Sequence, residues 1–303
     1  MRLRLVSFRS TDGLALPGLL YEPARRTSEA AIFLHGNGDA SVFYSARRTN
    51  AFGEEMARRG IAFFAFNNRG AHLIKRLGRK TPRRRESLLL GMTFEKIRDC
   101  VHDIDGAVAM LRAEGYRRVH LIGHSTGANK ICVYNRRRPR NPISRVVLLA
   151  PGDDVGLYYD QLGPRRFARA LRTAKERIGQ GRGAELASAS LSPFPISWAS
   201  LHDTIDPDGD YNVFPFLEAM RDLRLSGRPL FRDYRRLRKP TLALFGENDE
   251  YCFGDVPRCL ALLGERSAAP RRSRFTILPE ADHSFHGKEK EAGATMADFL
   301  AGS

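Results

Sequence analysis

Residues 119–127 read Val-His-Leu-Ile-Gly-His-Ser-Thr-Gly, and the fold follows from this stretch. Val119–Ile122 is short and apolar, which predicts a buried strand, and Ala128–Arg138 predicts a helix directly after the turn. Gly123–Gly127 has the pattern G-x-S-x-G, in which small residues relieve the crowding of a sharp strand-to-helix turn. Such a turn lifts the serine hydroxyl above the sheet edge, over the positive end of the helix. We therefore predict Ser125 as a nucleophile rather than an ordinary helix N-cap.

Short apolar strands alternate with helical segments on both sides of this turn. An antiparallel hairpin over residues 2–21 comes first, because Thr11-Asp12-Gly13 is a turn signal between two alternating segments. Strand–helix alternation predicts a mostly parallel sheet with helices on both faces, so the expected fold class is α/β and doubly wound. The further predicted strands are Ala30–Leu34, Ile61–Phe66, Arg145–Ala150, Thr241–Phe245 and Arg274–Leu278.

The alternation stops over residues 155–238, which contain the predicted helical stretches Phe167–Ile178 and Phe216–Leu225 and no clear buried strand. We predict that this insertion forms a helical lid over the carboxyl edge of the sheet, where open α/β sheets place their sites. Residues 1–154 and 239–303 then form the core domain. Trp198 and Tyr159 are predicted to contact substrate, although both could instead pack the lid onto the core. Residues 71–92 are basic and are expected to be irregular.

A nucleophilic serine needs a base, and the base needs an acidic group that orients it. In proteins with this turn, the three follow in the order Ser, Asp or Glu, His. Asp249 lies just after the predicted strand Thr241–Phe245, and His283 lies after the last strand, Arg274–Leu278. Parallel strands end at one edge of a sheet, so we predict that both residues lie near Ser125 and complete a catalytic triad.

Other residues could fill these two roles. His286 is a second candidate for the base, although we expect it to enter the last helix. Glu247, Asp153 and Asp154 are alternatives for the acid, because each follows a predicted strand. Asp249 remains the predicted acid.

The oxyanion formed during acyl transfer needs two N–H donors. One is expected from Thr126, the residue after the nucleophile, and the other from the loop after the strand Ala30–Leu34. Asn37 lies in that loop and is the predicted second donor; a plain glycine turn would also satisfy this segment.

Together these segments resemble the α/β-hydrolase superfamily over nearly the whole chain. The resemblance implies hydrolysis of an ester, thioester or amide by a serine nucleophile, without a metal or other cofactor. The Gly123–Gly127 motif, combined with Asp282–Phe285 near the end, is also similar to a group that includes fungal siderophore esterases. We expect a carboxylic ester hydrolase acting on a small-molecule acyl substrate. The alternatives are an acyltransferase or lyase that uses the same residues, or a non-catalytic binding protein with a basic surface.

Charge and cysteines limit the partners. Lys and Arg number 50 against 34 acidic residues, a net charge of +16. The basic residues are spread along the chain, with local clusters such as Arg136–Arg138, and no nucleic-acid module accompanies them, so we expect no specific nucleic-acid binding.

None of the four cysteines forms a CxxC pair, so zinc binding has little support. No signal-peptide pattern or membrane-length apolar run is present, and we expect a cytoplasmic protein without membrane attachment.

Overall fold

The computed structural model describes residues 1–38, 40–82 and 84–302 and shows the expected alternation of strands and helices. The strands are β1 Arg2–Arg9, β2 Ala15–Glu22, β3 Glu29–Leu34, β4 Ala62–Phe66, β5 Lys75–Lys80, β6 Arg85–Leu90, β7 Arg118–His124, β8 Ile143–Leu149, β9 Thr241–Gly246 and β10 Ser273–Leu278. The helices are α1 Ala46–Arg58, α2 Cys100–Ala113, α3 Thr126–Arg137, α4 Asp154–Gly179, α5 Trp198–Ile205, α6 Phe216–Met220, α7 Val256–Arg266 and α8 Glu289–Ala301.

The central sheet has the strand order β1-β2-β4-β3-β7-β8-β9-β10 within the described residues. The β1–β2 hairpin is antiparallel and joins β4 in antiparallel register. From β4 to β10 every neighbouring pair runs parallel. The mostly parallel sheet predicted from the alternation is therefore confirmed, and β3 and β7 lie at its centre.

Both faces of the sheet are covered by helices. Successive residues of β3 enter different cores: Ile32 packs with residues of α2, α3 and α7, whereas Phe33 packs with residues of α1 and α8. This alternation is the two-residue period of a strand, and its apolar character on both sides explains why β3 reads as a continuous hydrophobic run. The sheet is thus doubly wound, as predicted.

The expectation of an irregular segment over residues 71–92 is wrong, because β5 and β6 form a separate antiparallel hairpin there. The side chains of both strands alternate between exposed and half-buried positions. Most of them are basic or polar, so a strand-like alternation of apolar residues is weak in the sequence. Cross-strand contacts such as the Arg79–Glu86 ion pair support the hairpin instead.

Residues 155–238 form α4, α5 and α6 with connecting loops. The predicted stretch Phe167–Ile178 lies inside α4, which begins at Asp154 and is broken at Gly163, where φ is 72° and Pro164 follows. The predicted stretch Phe216–Leu225 is helical only over α6. Helices α4 and α5 pack on each other around a small hydrophobic cluster of their own. Among the described residues, no helix combines the length and the apolar character needed to cross a bilayer.

Arg69, in the loop after β4, connects three parts of the core. Its side chain donates to Asp103 of α2 at 2.7 and 3.0 Å and to Asp12 of the β1–β2 turn at 2.9 and 3.1 Å. Its backbone N–H also donates to Asp103. Arg69 and Asp103 are both buried, so each charge depends on the other.

We expect Arg69→Met to lower the free energy of unfolding by about 3 kcal/mol, because it leaves the Asp103 carboxylate buried without its partner. The control is Arg118→Met, which removes an exposed arginine paired with Glu29 and should cost less than about 1 kcal/mol. Urea unfolding of both variants measures the difference. If both variants lost the same free energy of unfolding, Arg69 would not act as a buried connection.

Candidate active site

Ser125 occupies a strained turn between β7 and α3. Its φ of 54° and ψ of −126° lie in a region that residues with a side chain rarely adopt. The flanking glycines make this turn possible: a Cβ at Gly123 would lie 2.3 Å from the Gly127 oxygen, and one at Gly127 would lie 2.1 Å from the Leu34 oxygen. The backbone hydrogen bond from Ser125 to the Leu149 oxygen, 2.9 Å, holds the turn against the end of β8. The strand–turn–helix context predicted for Gly123–Gly127 is therefore present.

Two further glycines leave room around the Ser125 side chain. A Cβ at Gly36 would lie 3.0 Å from the Ser125 Cβ, and one at Gly152 would lie 3.6 Å from the Ser125 Oγ. Gly36 follows β3 and Gly152 follows β8, so the loops after the strands on either side of β7 both approach the serine. The hydroxyl faces a cavity of about 640 Å³ at this edge of the sheet.

His283 and Asp249 lie side by side on the loops after β10 and β9. The Nδ1 of His283 is 2.9 Å from the Asp249 Oδ1, and both side chains are buried. The same Asp249 oxygen accepts the backbone N–H of Tyr251 at 3.0 Å. The Tyr251 ring stands edge-on to the His283 ring with 4.6 Å between centroids. His283 lines the same cavity as Ser125, so the three predicted residues come together as the strand order required.

His124, next to the nucleophile, supports the loop that carries His283. Its Nε2–H donates to the backbone oxygen of His283 at 2.9 Å, and the two rings lie 5.0 Å apart. Burial keeps the pKa of His124 well below its usual range, so this imidazole is neutral. Glu250 also supports this loop, because its carboxylate accepts the His283 backbone N–H at 3.1 Å. The sequence did not indicate that His124 and Glu250 support the His283 loop, because only the tertiary structure shows that they contact the His283 backbone.

The alternative candidates have other contacts. His286 is exposed and pairs with Asp282 at 2.7 Å, although it lies before α8 rather than inside it. The carboxylate of Glu247 accepts the Glu280 N–H. Asp153 is buried and caps α4 by accepting the Gly156 N–H at 2.8 Å, and its other oxygen accepts the Leu217 N–H of α6 at 2.8 Å.

Asn37 and Thr126, the predicted oxyanion donors, lie in the loop after β3 and at the first position of α3. Within the described part of the chain, neither backbone N–H has a hydrogen-bond acceptor, and Asn37 lines the cavity with Ser125. The Asn37 side chain donates to the Tyr211 hydroxyl at 3.0 Å, which ties its loop to the 155–238 segment. The neighbouring His35 bridges Gly36 and Asn68, which fixes the same loop against the loop after β4.

Trp198 and Tyr159, predicted as substrate contacts, are not brought to the cavity. Trp198 is buried in the cluster between α4 and α5, with the Arg177 guanidinium 5.9 Å from its ring. Tyr159 packs edge-on against Phe167 in the same cluster. Both Tyr158 and Tyr159 pack against this cluster, but adjacent residues of a helix point in different directions, and of the two only Tyr158 also lines the cavity. Leu157, Phe194 and other residues of the 155–238 segment line the cavity with it.

Metal ligands are not grouped in the described residues: no set of three or more His, Cys, Asp or Glu side chains there is arranged to hold a metal ion. All four cysteines are buried and unpaired. They therefore behave as packing residues.

A known protein family matches most of the chain. The family model described as "Serine aminopeptidase, S33" matches residues 26–291. No curated protein matches the chain.

Solved structures share the fold at low sequence identity. The esterase domain of a Rhodothermus marinus protein is 16% identical, with a TM-score of 0.58 over 99% of this chain and 98% of that one. Est1E from Butyrivibrio proteoclasticus with bound ferulic acid is 13% identical, with a TM-score of 0.60 over 97% of each chain. A monoacylglycerol lipase from Paleococcus ferrophilus is 17% identical, with a TM-score of 0.57 over 99% of each chain. At these identities the likeness shows the fold alone.

Asp154 is a carboxylate in the cavity whose charge is disfavoured. Burial raises its pKa to about 6, although the Thr126 hydroxyl, 3.4 Å away, and His283 both act to lower it. A raised carboxyl pKa means that the folded state disfavours the ionised form. The penalty is absent below the pKa of the unfolded chain and develops as the pH rises through 6.

We therefore expect Asp154→Asn to raise the free energy of unfolding by about 1–2 kcal/mol at pH 8 and by less than about half of that at pH 4.5, because pH 4.5 lies between the pKa values of the unfolded and the folded chain. Asp160→Asn is the control, because it removes an exposed carboxylate from the same helix. Denaturant unfolding at both pH values measures the gain. A gain of the same size at both would show that burial of the charge is not its cause.

Proposed function

Because the chain belongs to the Serine aminopeptidase, S33 family of the α/β-hydrolase superfamily, we propose that it is a serine hydrolase that cleaves a carboxylic ester through an acyl-enzyme. The observation that carries the proposal is the placement of Ser125, on its strained turn, at the same cavity as the His283–Asp249 pair. A strained serine that faces a cavity beside an oriented imidazole is the arrangement that nucleophilic catalysis needs.

In the proposed reaction, the site residues act one after another. His283 accepts the Ser125 proton as the Oγ attacks the ester carbonyl, and Asp249 at 2.9 Å holds the imidazole in the correct tautomer. The free N–H groups of Asn37 and Thr126 stabilise the oxyanion. His283 then protonates the leaving alcohol, and a water molecule activated by the same imidazole releases the acyl group. Acyl transfer to another alcohol would use the same groups, so product analysis separates it from hydrolysis.

We also propose that residues 155–238 act as the lid that selects the substrate. Their contribution to the cavity supports this: Leu157 and Tyr158 of α4 line it, and so does Phe194 from the following loop. The Tyr158 hydroxyl contacts the Ser192 Oγ at 3.0 Å and links these two parts. Apolar side chains such as Leu157 and Phe194 line this cavity together with several polar ones, and a small-molecule site needs both, so the proposed partner is an acyl substrate.

We expect Ser125→Ala to lower ester hydrolysis by about a thousandfold or more while the protein stays folded. The wild-type protein should be labelled by a fluorophosphonate and the variant should not. Ser87→Ala, on strand β6, is the control. Dialysis against a chelator should leave the rate unchanged, because the proposed residues need no metal. Turnover of the clean Ser125→Ala protein near the wild-type rate would refute serine catalysis.

Replacing Phe194 and Trp198 tests the proposed lid. Phe194 is 39% exposed at the cavity, so we expect Phe194→Ala to change the kcat/KM ratio of bulky to short esters by about tenfold. Trp198 is packed in the α4–α5 cluster, so Trp198→Ala should cost about 3 kcal/mol of stability and leave that ratio unchanged. A panel of 4-nitrophenyl esters and a thermal melt, run on both variants, separate the outcomes. A ratio that moves only with Trp198→Ala would contradict this assignment.

A further inference from the structure

Arg48 stands on the wall of the cavity, and no described carboxylate forms an ion pair with it. It belongs to the first turn of α1 and lines the same cavity as Ser125 and His283. Its terminal nitrogens have only long contacts of 3.5 Å, to the backbone oxygen of Ser284 and to the Ser45 hydroxyl, and its Nε is buried without a partner. Across the described residues, no carboxylate lies within 4.0 Å of its guanidinium.

Two other arginines with little exposure, Arg69 and Arg136, are paired with carboxylates. Arg69 holds Asp103 and Asp12, and Arg136 pairs with Asp210 and Asp233. A guanidinium removed from water needs such partners, because its hydration is lost without compensation. Arg48 therefore lacks what the comparable arginines have.

The charged groups nearest to Arg48 have partners of their own. Asp282 holds His286 at 2.7 Å, and Glu289 holds Arg47 at 3.2 Å. Burial lowers the pKa of Arg48 to about 10, partly offset by these two carboxylates, so it stays protonated at neutral pH. Its charge also helps to keep the buried His124 neutral. His283, whose loop it contacts through Ser284, faces the same space, and so do the carboxyl groups of Asp154, Asp160 and Glu250.

Helix stability does not explain a cation at this place. The first turn of α1 contains no acidic residue, and a positive side chain near a helix N-terminus opposes the helix dipole. The contact to Ser284 is too long to hold that loop strongly. Neither the helix nor the loop supplies a structural reason for the unpaired guanidinium.

We propose that Arg48 binds a carboxylate of the substrate, so that the ester cleaved by this site carries a negative charge in addition to the scissile bond. A guanidinium presents paired N–H donors that match the two oxygens of a carboxylate. A carboxylate fits better than a doubly charged phosphate, because Asp154, Asp160 and Glu250 also line the cavity. The inference rests on the proposed hydrolase function and specifies its substrate class.

Matched pairs of esters test this inference. On the acyl side, mono-4-nitrophenyl glutarate is compared with 4-nitrophenyl pentanoate. On the alcohol side, 4-(butanoyloxy)benzoate is compared with 4-(butanoyloxy)benzamide. The wild-type protein should prefer the anionic member of at least one pair. Arg48→Met should lower the anionic-to-neutral ratio of kcat/KM for that pair by about tenfold or more, mainly through KM.

Two further variants separate binding from structure. Arg48→Lys keeps the charge and should retain part of the preference. Arg58→Met removes the same charge from an exposed position on the same helix and should leave both rates and their ratio unchanged. Equal losses on anionic and neutral esters with Arg48→Met, or no anionic preference in the wild-type protein on either pair, would overturn the inference.

A binding measurement keeps this inference distinct from the proposed function. Calorimetry with the Ser125→Ala protein should show that glutarate binds and the neutral glutaramide does not, and that adding Arg48→Met abolishes glutarate binding. If glutarate binds in this way while no ester is cleaved by the wild-type protein, the hydrolase proposal fails and the anion site remains. If esters are cleaved without any anionic preference or glutarate binding, the anion site fails and the hydrolase proposal remains.

Discussion

The close backbone packing around Ser125 is the constraint on which the site depends. The Gly127 Cα lies so near the Leu34 oxygen that an added Cβ would stand 2.1 Å from it, so α3 can start only where residue 127 is glycine. The sharp turn that results forces Ser125 to a φ of 54° and presents its hydroxyl at the carboxyl edge of the sheet. Strain of this kind persists only where the surrounding structure imposes it. Here strands β3 and β8, on either side of β7, impose it.

Around this turn, buried imidazoles position the loops. His35 bridges the loops after β3 and β4, and His124 donates to the loop that carries His283. Burial keeps the pKa of both His35 and His124 well below the usual range, so both are neutral hydrogen-bonding groups. His283 differs from them because it is paired with Asp249 and faces the cavity. Three histidines near one serine therefore have separate roles that follow from their partners.

The arginines behind the large positive charge of the chain have several distinct local roles. Arg69 and Arg136 neutralise buried carboxylates and hold elements together. Arginines such as Arg58 and Arg118 pair on the surface, where ion pairs contribute little. Among the described residues, the guanidinium of Arg48 has neither kind of partner, and it faces the space next to the nucleophile. A net charge of +16 thus does not by itself identify a polyanionic partner.

The sequence alone determined the sheet, its direction and the loops that carry Ser125, Asp249 and His283, because strand periodicity and a glycine-flanked turn are local signals. It could not determine the β5–β6 hairpin, whose basic strands lack an apolar alternation. It also could not tell which aromatic side chains of residues 155–238 face the cavity, since Tyr158 and Tyr159 differ only in the direction that the helix gives them. The unpaired state of Arg48 depends on which carboxylates the folded chain brings near it. Such contacts join residues far apart in the chain, and only the tertiary structure decides them.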